Sequence, residues 1–188
     1  MKTRFLTTVC ALLTLAVLLG GCSAGAEKAP KKEVGIQLYS VRSLIGAFGN
    51  NQEDYKPVLK QLADMGYTSV EAASYKDGKI YGQTPEQFRK DVEEAGMKVL
   101  STHCTINLSD EELAAGDFSK ALAWWDECIA AHKAAGAEYI VVPSMRKVST
   151  LEELATYCRY FNEVGARCKA AGLKFGYHNH SREFEKIE

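Results

Sequence analysis

The stretch TPEQFRKDVEEAGMKVLSTH, residues 84–103, contains one complete helix–strand unit. Thr84 is a typical N-cap, Pro85 suits the first helical position and Gln87 lies at the third, so this stretch predicts a helix start. Gly96 is placed to end that helix in the left-handed conformation that glycine adopts without strain. The residues that follow predict a strand over 97–103.

The same unit recurs along the chain. Each of four predicted helices ends in a glycine that is followed almost at once by a predicted strand, and these are Gly66, Gly96, Gly136 and Gly172. The five strands are predicted over residues 34–39, 68–72, 97–103, 139–142 and 173–178. Alternating strands and helices predict an α/β fold with a parallel sheet. A doubly wound sheet and a (β/α)8 barrel both fit, but no GxGxxG motif follows the first strand to support dinucleotide binding.

The composition is that of a globular protein. The chain has 188 residues, 46% of them hydrophobic and 25% charged, which is enough for one domain with a core. Its formal net charge is −1. A protein that binds nucleic acid usually carries a strong basic excess, so we expect no nucleic-acid partner.

The first 22 residues have the layout of a secretory signal peptide. Lys2 and Arg4 precede an apolar run over 5–19, which is shorter than the ~20 residues of a membrane span. The sequence LGGC that ends at Cys22 resembles the bacterial lipobox, in which the cysteine is acylated; the alternative is a plain signal peptide with an incidental cysteine. We therefore expect a lipid-anchored protein of the bacterial cell envelope, on the periplasmic side or the cell surface. Residues 23–33 would form a tether and 34–188 the domain.

Four cysteines remain in the domain, with no metal-binding spacing: Cys104, Cys128, Cys158 and Cys168. Cys158 and Cys168 are predicted on one helix, about 15 Å apart along its axis, which is too far for a disulfide. The other pairings are open to an exported protein. Buried free thiols are favoured, because free cysteine is among the most buried residue types.

Polar residues gather where the predicted strands end. In parallel α/β folds the active site lies at these carboxyl ends. Glu71 ends the second strand and His103 the third, although a histidine in this position is often only a hydrogen-bonded structural residue. His178 and His180 end the fifth strand. Residues two apart on a strand share a face, and neutral imidazole is the commonest metal-ligating side chain, so this pair predicts a metal site. The remaining histidine, His132, is interpreted as an ordinary packing or surface residue of a helix.

Four motifs together resemble one family. They are GIQLYSVR at 35–42, VEA at 70–72, STH at 101–103 and GYHNHSREF at 176–184. With them, residues 33–188 resemble the xylose isomerase-like TIM barrels, and within these the sugar phosphate isomerase/epimerase group. The resemblance implies a (β/α)8 barrel of which about the first five βα units are present. We expect the 188-residue piece to belong to a longer protein and to be inactive by itself.

The resemblance also implies a divalent metal ion (Mn, Mg, Zn or Co) in the mouth of the barrel and proton transfer through an enediolate. It implies catalytic roles for Glu71, His103 and Glu183, and metal binding by His178 and His180. The residues expected to bind substrate are Tyr39, Arg42 and Asn179. His178 stands where many relatives have a glutamate ligand, so the chemistry around the metal is expected to differ.

The function expected from this resemblance is that of a sugar isomerase or epimerase, or a related lyase. Because sugar phosphates are mainly cytoplasmic, an exported member is expected to act on a small unphosphorylated sugar or keto-sugar. The alternative is a non-catalytic carbohydrate-binding lipoprotein on the same barrel. Abasic-site endonucleases share the fold, but export and the lack of basic excess count against that function. The expected partners are a small carbohydrate and, through the lipid anchor, the membrane.

Overall fold

The computed structural model describes residues 32–51 and 54–187. Five parallel strands form one sheet in chain order: β1 (Gly35–Gln37), β2 (Ser69–Ala72), β3 (Lys98–His103), β4 (Tyr139–Val142) and β5 (Lys174–Tyr177). The helices are α1 (Lys56–Asp64), α2 (Pro85–Glu94), α3 (Asp110–Ala115), α4 (Ser119–Ala134) and α5 (Leu151–Ala170). The predicted signal peptide, its lipidation residue Cys22 and all but the last two residues of the tether lie outside the described residues.

Local sequence signals set the helix boundaries. The hydroxyl of Thr84 accepts a hydrogen bond from the backbone N–H of Gln87, and Thr150 caps α5 in the same way. All four predicted terminating glycines have a positive φ, for example +92° at Gly96, which a residue with a side chain adopts only under strain. The predicted alternation of helices and strands is confirmed.

The register of the sheet brings three polar residues side by side. Gln37 of β1 pairs with Glu71 of β2. The β2–β3 register shifts by one residue between Val70 and Glu71, so that Glu71 pairs with Ser101 rather than with Leu100. Side chains at paired positions point to the same face of a sheet. The irregularity in β2 therefore aligns Gln37, Glu71 and Ser101.

Two hydrophobic clusters fill the space beside the sheet, one around α1 and α2 and the other around α4 and α5. Trp125 is fully buried in the second cluster, and its indole N–H donates a 2.6 Å hydrogen bond to the hydroxyl of Tyr160. Tyr160 in turn donates to the backbone oxygen of Ile106 at 3.0 Å. Trp125 is therefore a packing residue of this cluster.

Several details differ from the sequence predictions. Strand β1 ends at Gln37, because the chain turns into a 3-10 helix (Leu38–Val41) that buries Leu38 completely. A short helix (Arg42–Ile45) follows, then a hairpin of Gly46–Ala47 with Asn50–Asn51; a second hairpin pairs Tyr75–Lys76 with Lys79–Ile80. Helix α3 was not predicted, although Ser109 and Glu112 form a capping box at its start.

Burial decides between two alternatives for His132 and corrects one expectation. His132 is completely buried, which agrees with the packing interpretation. Cys104, Cys128 and Cys168 are buried, as expected, but Cys158 is exposed because it lies on the outer face of α5. Within the described residues, no helix is both long and apolar enough to cross a membrane.

Candidate active site

Glu71 lies at the centre of a hydrogen-bonded cluster at the carboxyl end of the sheet. One carboxylate oxygen, Oε1, accepts a hydrogen bond from Nε2 of Gln37 at 2.7 Å and lies 2.9 Å from Nε2 of His103. The other, Oε2, accepts from the hydroxyl of Ser101 at 2.6 Å. Strands β1, β2 and β3 each contribute to this cluster. It brings together the predicted residues Glu71 and His103.

The environment of Glu71 keeps its carboxyl ionised. Burial by itself would raise the pKa, but the hydrogen bonds from His103, Gln37 and Ser101 outweigh burial and lower the pKa of Glu71 to about 2. A base of such low pKa takes up protons poorly near neutral pH. Glu71 is therefore better suited to holding His103 than to carrying the proton itself.

The imidazole of His103 is held by one nitrogen only. Its side chain is 5% exposed, and a proton on Nε2 would be donated to Glu71. Nδ1 of His103 makes no hydrogen bond to the described residues. This nitrogen keeps some exposure to solvent. The arrangement orients the ring and leaves Nδ1 available to a ligand.

The three strand-end histidines form a row. The ring centroid of His178 lies 5.2 Å from that of His103, and the two rings meet edge to face. The centroid of His180 lies 4.8 Å from that of His178. Strand β5 ends at Tyr177, so both residues follow the strand rather than ending it. The structure nevertheless places the predicted metal pair together and joins it to the Glu71–His103 pair.

Glu183 is held by the segment that carries the histidines. Its Oε1 accepts a 2.6 Å hydrogen bond from the hydroxyl of Tyr177, and its Oε2 accepts one of 2.7 Å from the backbone N–H of His180. The hydroxyl bond is the main reason that the pKa of Glu183 is lowered to about 2, against a small opposing effect of burial. Both contacts hold the 3-10 helix Ser181–Phe184 against the segment that precedes it. They favour a positioning role, and the predicted catalytic role stays a prediction.

The three residues predicted to bind substrate lie in the segments that follow β1 and β5. The guanidinium of Arg42 lies 4.2 Å from the ring centroid of Tyr39 and donates to the backbone oxygen of that residue at 2.9 Å. Asn179 is exposed between the two histidines. None of these contacts involves Glu71 or His103, and a substrate role for the three residues stays a prediction.

The predicted metal pair is an incomplete ligand set. Of the expected ions, Zn is the one that imidazole suits best, and Zn takes four or more ligands. Among residues 32–51 and 54–187, the one group of three or more His, Cys, Asp or Glu side chains whose ligand atoms all lie within 4.8 Å of one another is Cys104, Cys128 and His132. His178 and His180 therefore offer two donors of the right type and no third at that range.

Two members of the cluster were missed at the sequence level. Ser101 precedes His103 by two residues on β3, so the alternation of a strand predicts that the two share a face. Gln37 lies within the first motif, and only its pairing with Glu71 reveals its role.

Comparison with known proteins places this geometry in a family. The family model described as "Xylose isomerase-like TIM barrel" matches residues 59–187. The five parallel strands are therefore part of a (β/α)8 barrel of this type, and the predicted fold is confirmed. No curated protein matches the chain significantly.

Two similar solved structures are sugar phosphate isomerase/epimerases from Parabacteroides distasonis ATCC 8503. One is 31% identical with a TM-score of 0.69 over 83% of this chain and 57% of its own. The other is 26% identical with a TM-score of 0.68 over 88% of this chain and 57% of its own. An L-ribulose 3-epimerase structure, at 16% identity and a TM-score of 0.55 over 76% of this chain and 48% of its own, shares the fold. The chain thus spans about half the length of these relatives.

Proposed function

This chain belongs to the xylose isomerase-like TIM-barrel family, and we propose that it serves in the isomerisation or epimerisation of a small sugar by proton transfer at a carbon next to a carbonyl. The observation that carries the proposal is the contact between Glu71 and His103 at the carboxyl ends of β2 and β3. The similarity to sugar phosphate isomerase/epimerases supports it.

In this proposal His103 moves the proton. Glu71 accepts the hydrogen bond from Nε2–H, which fixes the tautomer and leaves the lone pair of Nδ1 free. Imidazole is the side chain that takes up and releases protons near neutral pH, and a positioned acid–base group typically contributes about 10²- to 10⁴-fold in rate. Gln37 and Ser101 would keep Glu71 anionic and in place.

A divalent metal would be held in part by His178 and His180. When bound, it would polarise the sugar carbonyl and stabilise the negative charge that develops on oxygen. The predicted signal peptide and the lipobox-like sequence support an envelope location, with Cys22 as the anchored residue. That location supports an unphosphorylated sugar or keto-sugar as the substrate.

The test is proton exchange. The full-length protein, supplied with Mn²⁺ or Co²⁺, is incubated in D₂O with a panel of unphosphorylated ketoses and with their phosphate esters, and deuterium on carbon is followed by NMR. We expect exchange into an unphosphorylated sugar and a loss of at least about 100-fold in His103→Asn. The exposed variant Glu93→Gln serves as the matched control and is expected to keep the wild-type rate.

Three outcomes would contradict parts of the proposal. Exchange that persists in His103→Asn would remove His103 as the proton carrier. Exchange into phosphate esters alone would overturn the substrate class. Sugar binding by calorimetry without any exchange would favour the non-catalytic carbohydrate-binding alternative. Equilibrium dialysis of Mn²⁺ or Co²⁺ against the wild type, His178→Ala and His180→Ala tests metal binding separately from activity. Metal occupancy equal to that of the wild type in both variants would exclude the two histidines as ligands.

A further inference from the structure

Two buried thiols are in contact next to the end of β3, the strand that carries His103. Cys104 follows His103 at the end of β3, and Cys128 lies in the middle of α4. Their sulfur atoms are 3.1 Å apart, and the two residues are 6% and 0% exposed. The contact joins the sheet to the helix layer across 24 residues of chain. Among the cysteines of the described residues, this is the one pair whose sulfur atoms are in hydrogen-bond contact.

Nδ1 of the neighbouring His132, the ring nitrogen within hydrogen-bond distance of Cys128, does not act on these thiols as a base. Nδ1 of His132 lies 2.6 Å from the backbone oxygen of Cys128, one helical turn earlier, so Nδ1 carries the proton and donates it to that oxygen. The same nitrogen lies 3.3 Å from the sulfur of Cys128. With its proton committed to the backbone, Nδ1 offers the sulfurs no lone pair for a metal site or for proton abstraction.

We propose that Cys104 and Cys128 form a disulfide bond that ties the end of β3 to α4. The sulfur atoms need to approach by about 1 Å to reach the disulfide length of about 2.05 Å. Each thiol loses one hydrogen, and the two protons and two electrons pass to a donor disulfide such as oxidised glutathione or a thiol–disulfide oxidoreductase. The Sγ–Sγ bond forms, the donor's S–S bond breaks, and two donor thiols are released.

The bond is expected to form while the chain folds rather than afterwards. Burial and the adjacent Cys104 thiol raise the pKa of the Cys128 thiol well above its ordinary value. Thiol–disulfide exchange requires a thiolate and access to it, and both are scarce once the layers have packed. The disulfide is therefore structural, and its effect on the candidate site is to fix the backbone next to His103.

The experiment counts thiols after folding in a defined redox buffer. The full chain is reduced, unfolded and refolded with reduced and oxidised glutathione, then acid-quenched, unfolded with chelator, alkylated without reductant and digested for mass spectrometry. We expect a linked peptide that contains Cys104 and Cys128 in the wild type and in Cys158→Ser, the matched control with an exposed cysteine. We expect no such peptide in Cys104→Ser or Cys128→Ser. Oxidised wild type is expected to have a higher urea midpoint than the same protein in reductant.

Two results would overturn the proposal. One is alkylation of all four domain cysteines after refolding, which would show that the thiols stay free or hold a metal ion that the chelator removes. The other is a linked peptide that involves Cys158 or Cys168. A second measurement tests whether the bond forms during folding. Native reduced protein exposed to oxidised glutathione is expected to form the bond at least tenfold more slowly than refolding protein does. Equal rates would contradict formation during folding.

Discussion

Replacing Glu71 with glutamine tests whether the carboxylate at the centre of the cluster is ionised and stabilised by its neighbours. Glutamine keeps the size and shape of the side chain but removes the charge. Its amide NH₂ would also face the NH₂ of Gln37 or the hydroxyl of Ser101, both of which donate to Glu71. The variant is therefore expected to be less stable at neutral pH.

The expected magnitude follows from the pKa. The carboxyl of Glu71 has a pKa of about 2 in the folded protein, against 4.5 as its ordinary value. A lowered pKa in the folded state stabilises the protein above the unfolded pKa, and this stabilisation is lost as the pH falls through the folded pKa. The difference corresponds to about 3 kcal/mol at pH 7 and to about half of that at pH 3.

The assay is urea unfolding followed by circular dichroism, in reductant, for wild type and Glu71→Gln between pH 7 and pH 3. Other carboxyls titrate in both proteins, so the difference between the two free energies of unfolding isolates position 71. Glu93→Gln is the matched control, because its carboxylate forms an exposed pair with Arg89 one helical turn away and such pairs contribute about 0.3–0.5 kcal/mol. A difference for Glu71→Gln that is below 1 kcal/mol at pH 7, or that stays constant down to pH 3, would refute the reasoning.

Three further predictions concern packing and turn residues outside the candidate site. Burial lowers the pKa of His132 to about 4, so wild-type stability should fall as the pH drops from 6.5 towards 4, and His132→Asn should lack that part of the pH dependence in the same urea assay. Trp125→Phe removes the donor to Tyr160 and should cost about 1–3 kcal/mol in the free energy of unfolding; no loss would show that the bond contributes nothing. Gly46→Ala should lower the melting temperature far more than Gly66→Ala, because both have a positive φ but a Cβ at Gly46 would lie 1.7 Å from a backbone oxygen across the hairpin, whereas Gly66 faces open space.

The structure brings two predicted site residues together and leaves the roles of all of them as predictions. Glu71 and His103 are both predicted to be catalytic, and they are in contact. Glu183 is also predicted to be catalytic, and its carboxylate is engaged by Tyr177 and by the backbone of His180. That engagement depends on how the chain turns after β5, and no local pattern reports it.

The order and type of the main strands and of four of the helices could be predicted from the sequence alone. Caps such as Thr84, terminating glycines and hydrophobic periodicity act within a few residues, so they can be read from neighbouring positions. The motifs at the strand ends added the family, since residue identities at those positions carry the resemblance.

Which side chains meet depends on the tertiary structure. Gln37 and Glu71 are 34 residues apart, Glu71 and Ser101 are 30 apart, and Cys104 and Cys128 are 24 apart. Their contacts depend on the strand order, on the register shift after Val70 and on how α4 packs against the sheet. The ionisation of Glu71 follows from those contacts, because burial and hydrogen bonding, rather than residue type, set the pKa of a carboxyl group.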